Sequence, residues 1–167
     1  MASYPSSPQF RTFAAAIKAG VPALFWGSPG IGKSAKLIEA GQAWGMDTQV
    51  IISAIRDPQD FLGLPYLDDN VTRYADVDWA VRANAAPKSL VVFDELSTAR
   101  PEVQSAALRV FQERTVGNLA FKDSVHLAAA ANPADQAADG FELAPPLANR
   151  FCHLDWPFDP DEWATGM

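Results

Sequence analysis

Ala23-Leu24-Phe25-Trp26-Gly27-Ser28-Pro29-Gly30-Ile31-Gly32-Lys33-Ser34 is the stretch on which the reading of this chain turns. Its first four residues are a short continuous apolar run, which suits a strand covered on both faces. Gly27 to Ser34 fits G-x-x-x-x-G-K-[ST], and Ser34 to Trp44 suits a helix ended by Gly45. The glycines let the backbone curl so that several N–H groups face inward at a helix N-terminus, where a polyphosphate is favoured. Lys33 would neutralise the β- and γ-phosphate oxygens, and the Ser34 hydroxyl would take one position on Mg²⁺. The expected nucleotide-binding residues are Gly27, Ser28, Pro29, Gly30, Ile31, Gly32, Lys33 and Ser34. The plainer reading is an ordinary glycine-rich strand-to-helix turn. A strand and a helix on the proper sides weigh against it.

Outward from that loop, further apolar runs read as strands: Gln49 to Ser53, Leu90 to Phe93, Val125 to Ala130 and Phe151 to Trp156. Helices are expected from Ser6-Ser7-Pro8 to Lys18, from Asp76 to Ala86, and from Arg100/Pro101 to Arg114. The region from Arg56 to Ala86 is less regular. Asp57-Pro58-Gln59-Asp60 can start a short helix that Gly63-Leu64-Pro65 breaks, and Val71 to Tyr74 suits one arm of a small hairpin. Val116-Gly117-Asn118-Leu119 suggests a turn between extended arms. Strands alternating with helices at this rhythm predict a parallel sheet with helices on both faces.

Asp94-Glu95 directly follows the third strand, and in such a sheet the carboxyl ends of the strands face the ligand crevice. Two neighbouring carboxylates are hard to keep ionised there unless a cation or a water-mediated role offsets their repulsion. Asp94 suits the holding of Mg²⁺, either by direct coordination or through the ion's bound water, and Glu95 suits activation of an attacking water. A solvated strand end would be the bland alternative. Asn132-Pro133 follows the fourth strand; Asn132 could orient that water or touch the γ-phosphate, and Asn before Pro is equally a good helix N-cap. Arg150 precedes the last strand. It reads either as a surface ion-pair residue of little energetic weight or as a finger supplied to a neighbouring subunit's γ-phosphate.

Composition narrows the function classes. The chain has 167 residues, 49% hydrophobic, with 13 Lys+Arg against 20 Asp+Glu, giving a net charge of −7. That fits one domain with a real core, and disfavours a broad grip on nucleic acid or on an anionic membrane. One cysteine, Cys152, cannot form an internal disulfide, so a reducing, cytoplasmic setting is expected. No apolar run reaches the ~18 residues of a membrane span. With two histidines, His126 and His153, there is no zinc-ligand spacing, and both read as strand residues. Asp68-Asp69 reads as a turn.

These features in this order resemble the AAA+ ATPase core, with Walker A at 27–34, Walker B at 90–95, sensor 1 at Asn132 and an arginine finger at Arg150. The chain is most similar to the MoxR family, in the helix-2-insert clade that includes midasin-like ATPases. Asp60-Phe61-Leu62-Gly63 resembles that clade's D-x-x-G, and Asp94 to Pro101 its D-E-x-N-x-x-x-P. Val103 to Leu108 and Phe111 to Arg114 resemble the helix that follows, with Thr115 to Phe121 as a pre-sensor hairpin. Ser97 stands where the family has Asn, and Ala131 where it often has Gln. Asp155 to Trp163 resembles the linker into the family's helical lid, and the sequence given stops four residues later.

The resemblance implies a P-loop NTPase fold: a five-stranded parallel sheet of order 5-1-4-3-2 flanked by helices, with the lid absent. It divides the chain into a nucleotide-binding core over 1–156 and the start of a linker over 157–167. It implies an ATPase using ATP and Mg²⁺, with Lys33, Glu95, Asn132 and Arg150 as catalytic residues and Ser34 and Asp94 on the metal. It implies a ring, six subunits in relatives, that remodels a protein partner, often one with a von Willebrand A-type domain. Two other readings stand beside it: a nucleotide-gated binding switch with negligible hydrolysis, and a DNA-acting AAA+ protein. The acidic balance and the lack of a basic stripe count against the second.

Overall fold

The computed structural model describes residues 8–133, 136 and 141–156. Five strands form the main sheet: β1 (Ala23–Trp26), β2 (Asp47–Ile52), β5 (Ser89–Asp94), β8 (Val125–Ala131) and β9 (Cys152–Asp155). They lie in the order β2-β5-β8-β1-β9, and every neighbouring pair is parallel. Counting only these five, the order is 5-1-4-3-2 from one edge, as expected.

Burial alternates along the strands because both faces are covered. Leu24, Val91, Phe93, Leu127, Ala129 and Ala131 point into one core cluster, and Ala23, Phe25, Leu90, Val92, Ala128 and Ala130 into the other. Helix α1 (Pro8–Ala19) buries Phe10, Phe13, Ala16 and Ile17, one stripe at helical spacing, against the second cluster. Phe13 meets Phe25 edge-on, with ring centroids 5.0 Å apart. On the opposite face α5 (Pro101–Glu113) buries Val103, Ala106, Ala107, Val110 and Phe111. Phe111 bridges Phe93 at 4.8 Å and Phe151 at 4.6 Å, tying the middle of the sheet to the start of its last strand. Full burial of each such ring contributes about 1.5–3 kcal/mol.

The expected elements form with shifted ends. Helix α2 runs over Lys33–Ala43, so the lysine of the loop is already its first residue, and α4 covers Asp78–Ala85. Strand β2 begins at Asp47, two residues earlier than its apolar run, because Asp47 to Ile52 pair in register with Ser89 to Asp94. The irregular region holds a short helix, α3 (Gln59–Leu62), and a hairpin of β3 (Pro65–Asp68) and β4 (Val71–Tyr74). Its turn is Asp69-Asn70, both at positive φ, and Arg73 Nε lies 2.7 Å from Asp68 Oδ2 across it. Of the expected turn pair Asp68-Asp69, Asp68 is the last paired residue of β3 and only Asp69 lies in the turn. A second small hairpin, β6 (Thr115–Val116) with β7 (Leu119–Ala120), matches the predicted turn. The last short helix, α6 (Pro145–Ala148), leads into β9. The helix start at Ser6-Ser7 and the linker over 157–167 lie outside the described residues. Among the described residues no helix is long and apolar enough to cross a membrane.

Candidate active site

The carboxyl ends of β1, β5 and β8 meet around a pocket of about 320 Å³. Pro29, Gly30, Gly32, Lys33 and Ser34 line it from the loop after β1, Asp94 and Glu95 from the end of β5, and Asn132 from the end of β8. The loop needs its glycines at particular points. Gly30 and Gly32 sit at φ 78° and 80°, where a side chain is strained, and a Cβ on Gly27 would come 2.9 Å from the carbonyl oxygen of Trp156. Ile31 folds its side chain back over Gly27. The Gly27 N–H donates to Ala131 O at 3.3 Å, which ties the loop to β8.

Lys33 is buried, and its ammonium is held by three acceptors: Gly27 O at 2.7 Å, Ser28 O at 2.9 Å and Asn132 Oδ1 at 2.8 Å. Burial pushes its pKa below the ordinary lysine value, and the nearby Asp94 and Glu95 carboxylates pull it part of the way back. The Ser34 hydroxyl donates to Asp94 Oδ2. The other Asp94 oxygen accepts from the Glu95 N–H at 2.9 Å. Both Asp94 oxygens are therefore aimed, one at the loop and one at the next peptide.

Glu95 occupies the left-handed region at φ 54° and ψ 38°, a conformation that is unfavourable for a residue with a Cβ. Its carbonyl accepts from Thr98 Oγ1 at 2.9 Å and from the Thr98 N–H at 3.2 Å, which pins the turn. An outlier of this kind at a crevice is where strain is usefully held. The turn places the exposed residue Glu95 on the wall of the pocket.

Seven of the twelve residues of the expected site need no qualification of place: Pro29, Gly30, Gly32, Lys33, Ser34, Asp94 and Glu95 share one pocket. Gly27 and Ser28 contribute the carbonyls that hold Lys33, and Ile31 covers Gly27. Asn132 also lines the pocket, but here its side chain accepts from Lys33. Its alternative reading as a helix cap concerns residues that lie in part outside the described ones. Arg150 does not line this pocket; its Nη2 donates to Gln112 Oε1 of α5 at 3.1 Å. His153 accepts at Nδ1 from Trp26 Nε1 at 2.8 Å and is a strand residue with a packing partner, as expected. His126 is likewise in a strand, its pKa pushed down by burial and then by Lys88 and Arg114. Cys152 is half-buried on β9.

Ser97 was legible only as a departure from a motif. It is 2% exposed and makes two hydrogen bonds with the backbone of Asn132, donating to its carbonyl at 3.0 Å and accepting from its N–H at 3.1 Å. Gln112, the partner of Arg150, carried no sequence signal, since a glutamine on a helix is unremarkable until the opposite strand is placed.

No family model and no curated protein matches the chain. Among solved structures, a crystal structure of a "putative ATPase" from Cytophaga hutchinsonii matches with a TM-score of 0.65 at 19% identity, over 93% of this chain. This chain spans 47% of that structure, about half its length. The fold is the shared property. It is the P-loop type of five-stranded parallel α/β sheet.

Proposed function

We propose that this chain binds ATP with Mg²⁺ in the pocket between Lys33, Ser34 and Asp94 and hydrolyses it, as an AAA+ ATPase of MoxR type. The observation that carries the reading is the convergence of the Lys33 ammonium, the Ser34–Asp94 pair and the Glu95 carboxylate on one cavity. A hydroxyl and a carboxylate in contact form the hard oxygen set that a magnesium ion accepts, and a loop of inward amides suits a polyphosphate. Magnesium, when bound with the nucleotide, neutralises charge on the phosphate oxygens.

The chain's own groups then divide the work. Lys33 leaves the carbonyls of Gly27 and Ser28 and donates to phosphate oxygens. Ser34 and Asp94 hold the metal. Glu95 orients a water and takes up its proton, and Asn132 fixes the direction of approach. Arg150, which does not line this pocket, is suited to a neighbouring subunit's nucleotide in a ring, and the work done by turnover is the remodelling of a protein partner.

The test is nucleotide binding and steady-state turnover by the wild-type chain, Lys33→Ala and Glu95→Gln. Lys33→Ala should abolish ATP binding, and Glu95→Gln should retain bound ATP without turnover. ATP affinity unchanged in Lys33→Ala removes the proposal. Binding without turnover in the wild type would replace it with the nucleotide-gated switch.

A further inference from the structure

Asn132 is the first residue beyond the ladder of β8, whose last pair is Trp26 with Ala131. Pro133 follows it and has no N–H, so the ladder cannot continue to steady the backbone. Among the described residues, the hydrogen bonds of the Asn132 backbone are both made with one hydroxyl, that of Ser97. A serine hydroxyl carries one proton and accepts through its lone pairs, so it can meet a carbonyl and an N–H at once. Ser97 lies in the 3-10 turn Leu96–Thr98, and Glu95 is the cap of that turn. The Asn132 side chain in turn accepts from Lys33. A continuous line of hydrogen bonds therefore runs from the turn carrying Glu95, through Ser97 and Asn132, to the lysine of the phosphate loop.

We infer that Ser97 is a positioning residue: it aims Asn132, and through Asn132 it couples the placement of the Lys33 ammonium to the turn that presents Glu95. The inference rests on the ATPase reading for its catalytic consequence, and on geometry alone for the link to Lys33. Ser97 itself touches no substrate. Its role differs from mere filling of a buried site, because a filler would act on stability whatever residue stood at 132.

The experiment is a double-mutant cycle in the full chain, with Ser97→Ala, Asn132→Ala and the pair, read as ATP dissociation constant and kcat separately. Ser97→Ala should leave ATP affinity within about threefold, and should lower kcat about 10- to 100-fold, the scale of a misplaced positioning group. In the Asn132→Ala background the same change should have no further effect on kcat, since the side chain it aims is gone. Equal losses in both backgrounds, or an unchanged kcat in Ser97→Ala, would overturn the inference. Ser97→Cys keeps the volume with a poor hydrogen-bonding group and should behave like Ser97→Ala; wild-type kcat in that variant also overturns it.

If the wild-type chain neither binds nor hydrolyses ATP, the ATPase reading fails, and the link is judged at fixed pH by NMR chemical shifts. Ser97→Ala should then shift both the Asn132 side-chain amide and the Lys33 ε-methylene resonances, since the bond between them is aimed through Ser97. Unchanged resonances of Lys33 would refute the coupling.

Discussion

Replacing Glu95 with glycine should make the protein more stable while removing hydrolysis. Glu95 sits at φ 54° and ψ 38°, and the left-handed region costs an L-residue about 1–2 kcal/mol. Glycine escapes that cost but gives up about 0.5–1 kcal/mol through its greater freedom in the unfolded chain. The net gain is about 0.5–1 kcal/mol, which for a domain of this size raises the melting temperature by about 1–4 °C. The contacts that pin the turn survive the change, because Glu95 contributes only its N–H and carbonyl to them. Among the described residues its carboxylate enters none of the ion pairs. Glu95→Ala is the proper reference, since it removes the same charge beside Asp94 and Lys33 but keeps the strained Cβ. The assay is thermal unfolding by circular dichroism for the three proteins, alongside steady-state ATP turnover. A glycine variant that melts at or below the alanine variant refutes the claim that strain is stored at this residue.

Three other outcomes follow from the same geometry. Because burial holds the Lys33 pKa below 10.5, the folded state releases its proton before the unfolded state does. ATP affinity should then fall as pH rises through the lowered value. Over the window between that value and 10.5, stability of the nucleotide-free chain should rise with pH, as paired isothermal titration and denaturant melts would show. Gly41→Ala brings a Cβ to 2.1 Å from Thr48 Oγ1 and 3.2 Å from Leu90 Cδ2, so it should destabilise by about 1–3 kcal/mol in urea unfolding. In a Thr48→Ala background that loss should shrink, as alanine's better helix propensity is expressed. Wild-type turnover per subunit should climb with protein concentration, and Arg150→Ala should abolish the climb; a flat profile in the wild type counts against a finger acting between subunits.

The pocket was largely readable in advance because its chemistry is local. Gly30, Gly32, Lys33 and Ser34 follow one another, and Asp94-Glu95 abut an apolar run, so spacing alone put each at a strand tip. What stayed hidden depends on partners distant in sequence. The Lys33–Asn132 bond spans 99 positions, and nothing near Lys33 says that an amide will cap it. Ser97 reads as a lost asparagine until the end of β8 is laid beside it. Strand β2 starts before its apolar run because pairing with β5, not hydrophobicity, sets its length. The hairpin from Pro65 to Tyr74 has no buried residue in either arm, so no periodicity marked its first arm, and the Asp69-Asn70 turn alone fixes its register.

The glycine-rich loop from Gly27 to Ser34 hangs from a strand that is born early and completed late. Its partners on either side, Val125–Ala131 and Cys152–Asp155, are supplied by the last third of the chain. On a translating ribosome the segment Ala23–Trp26 can pack on the helix made before it, but its ladder is complete only once residue 155 has been made.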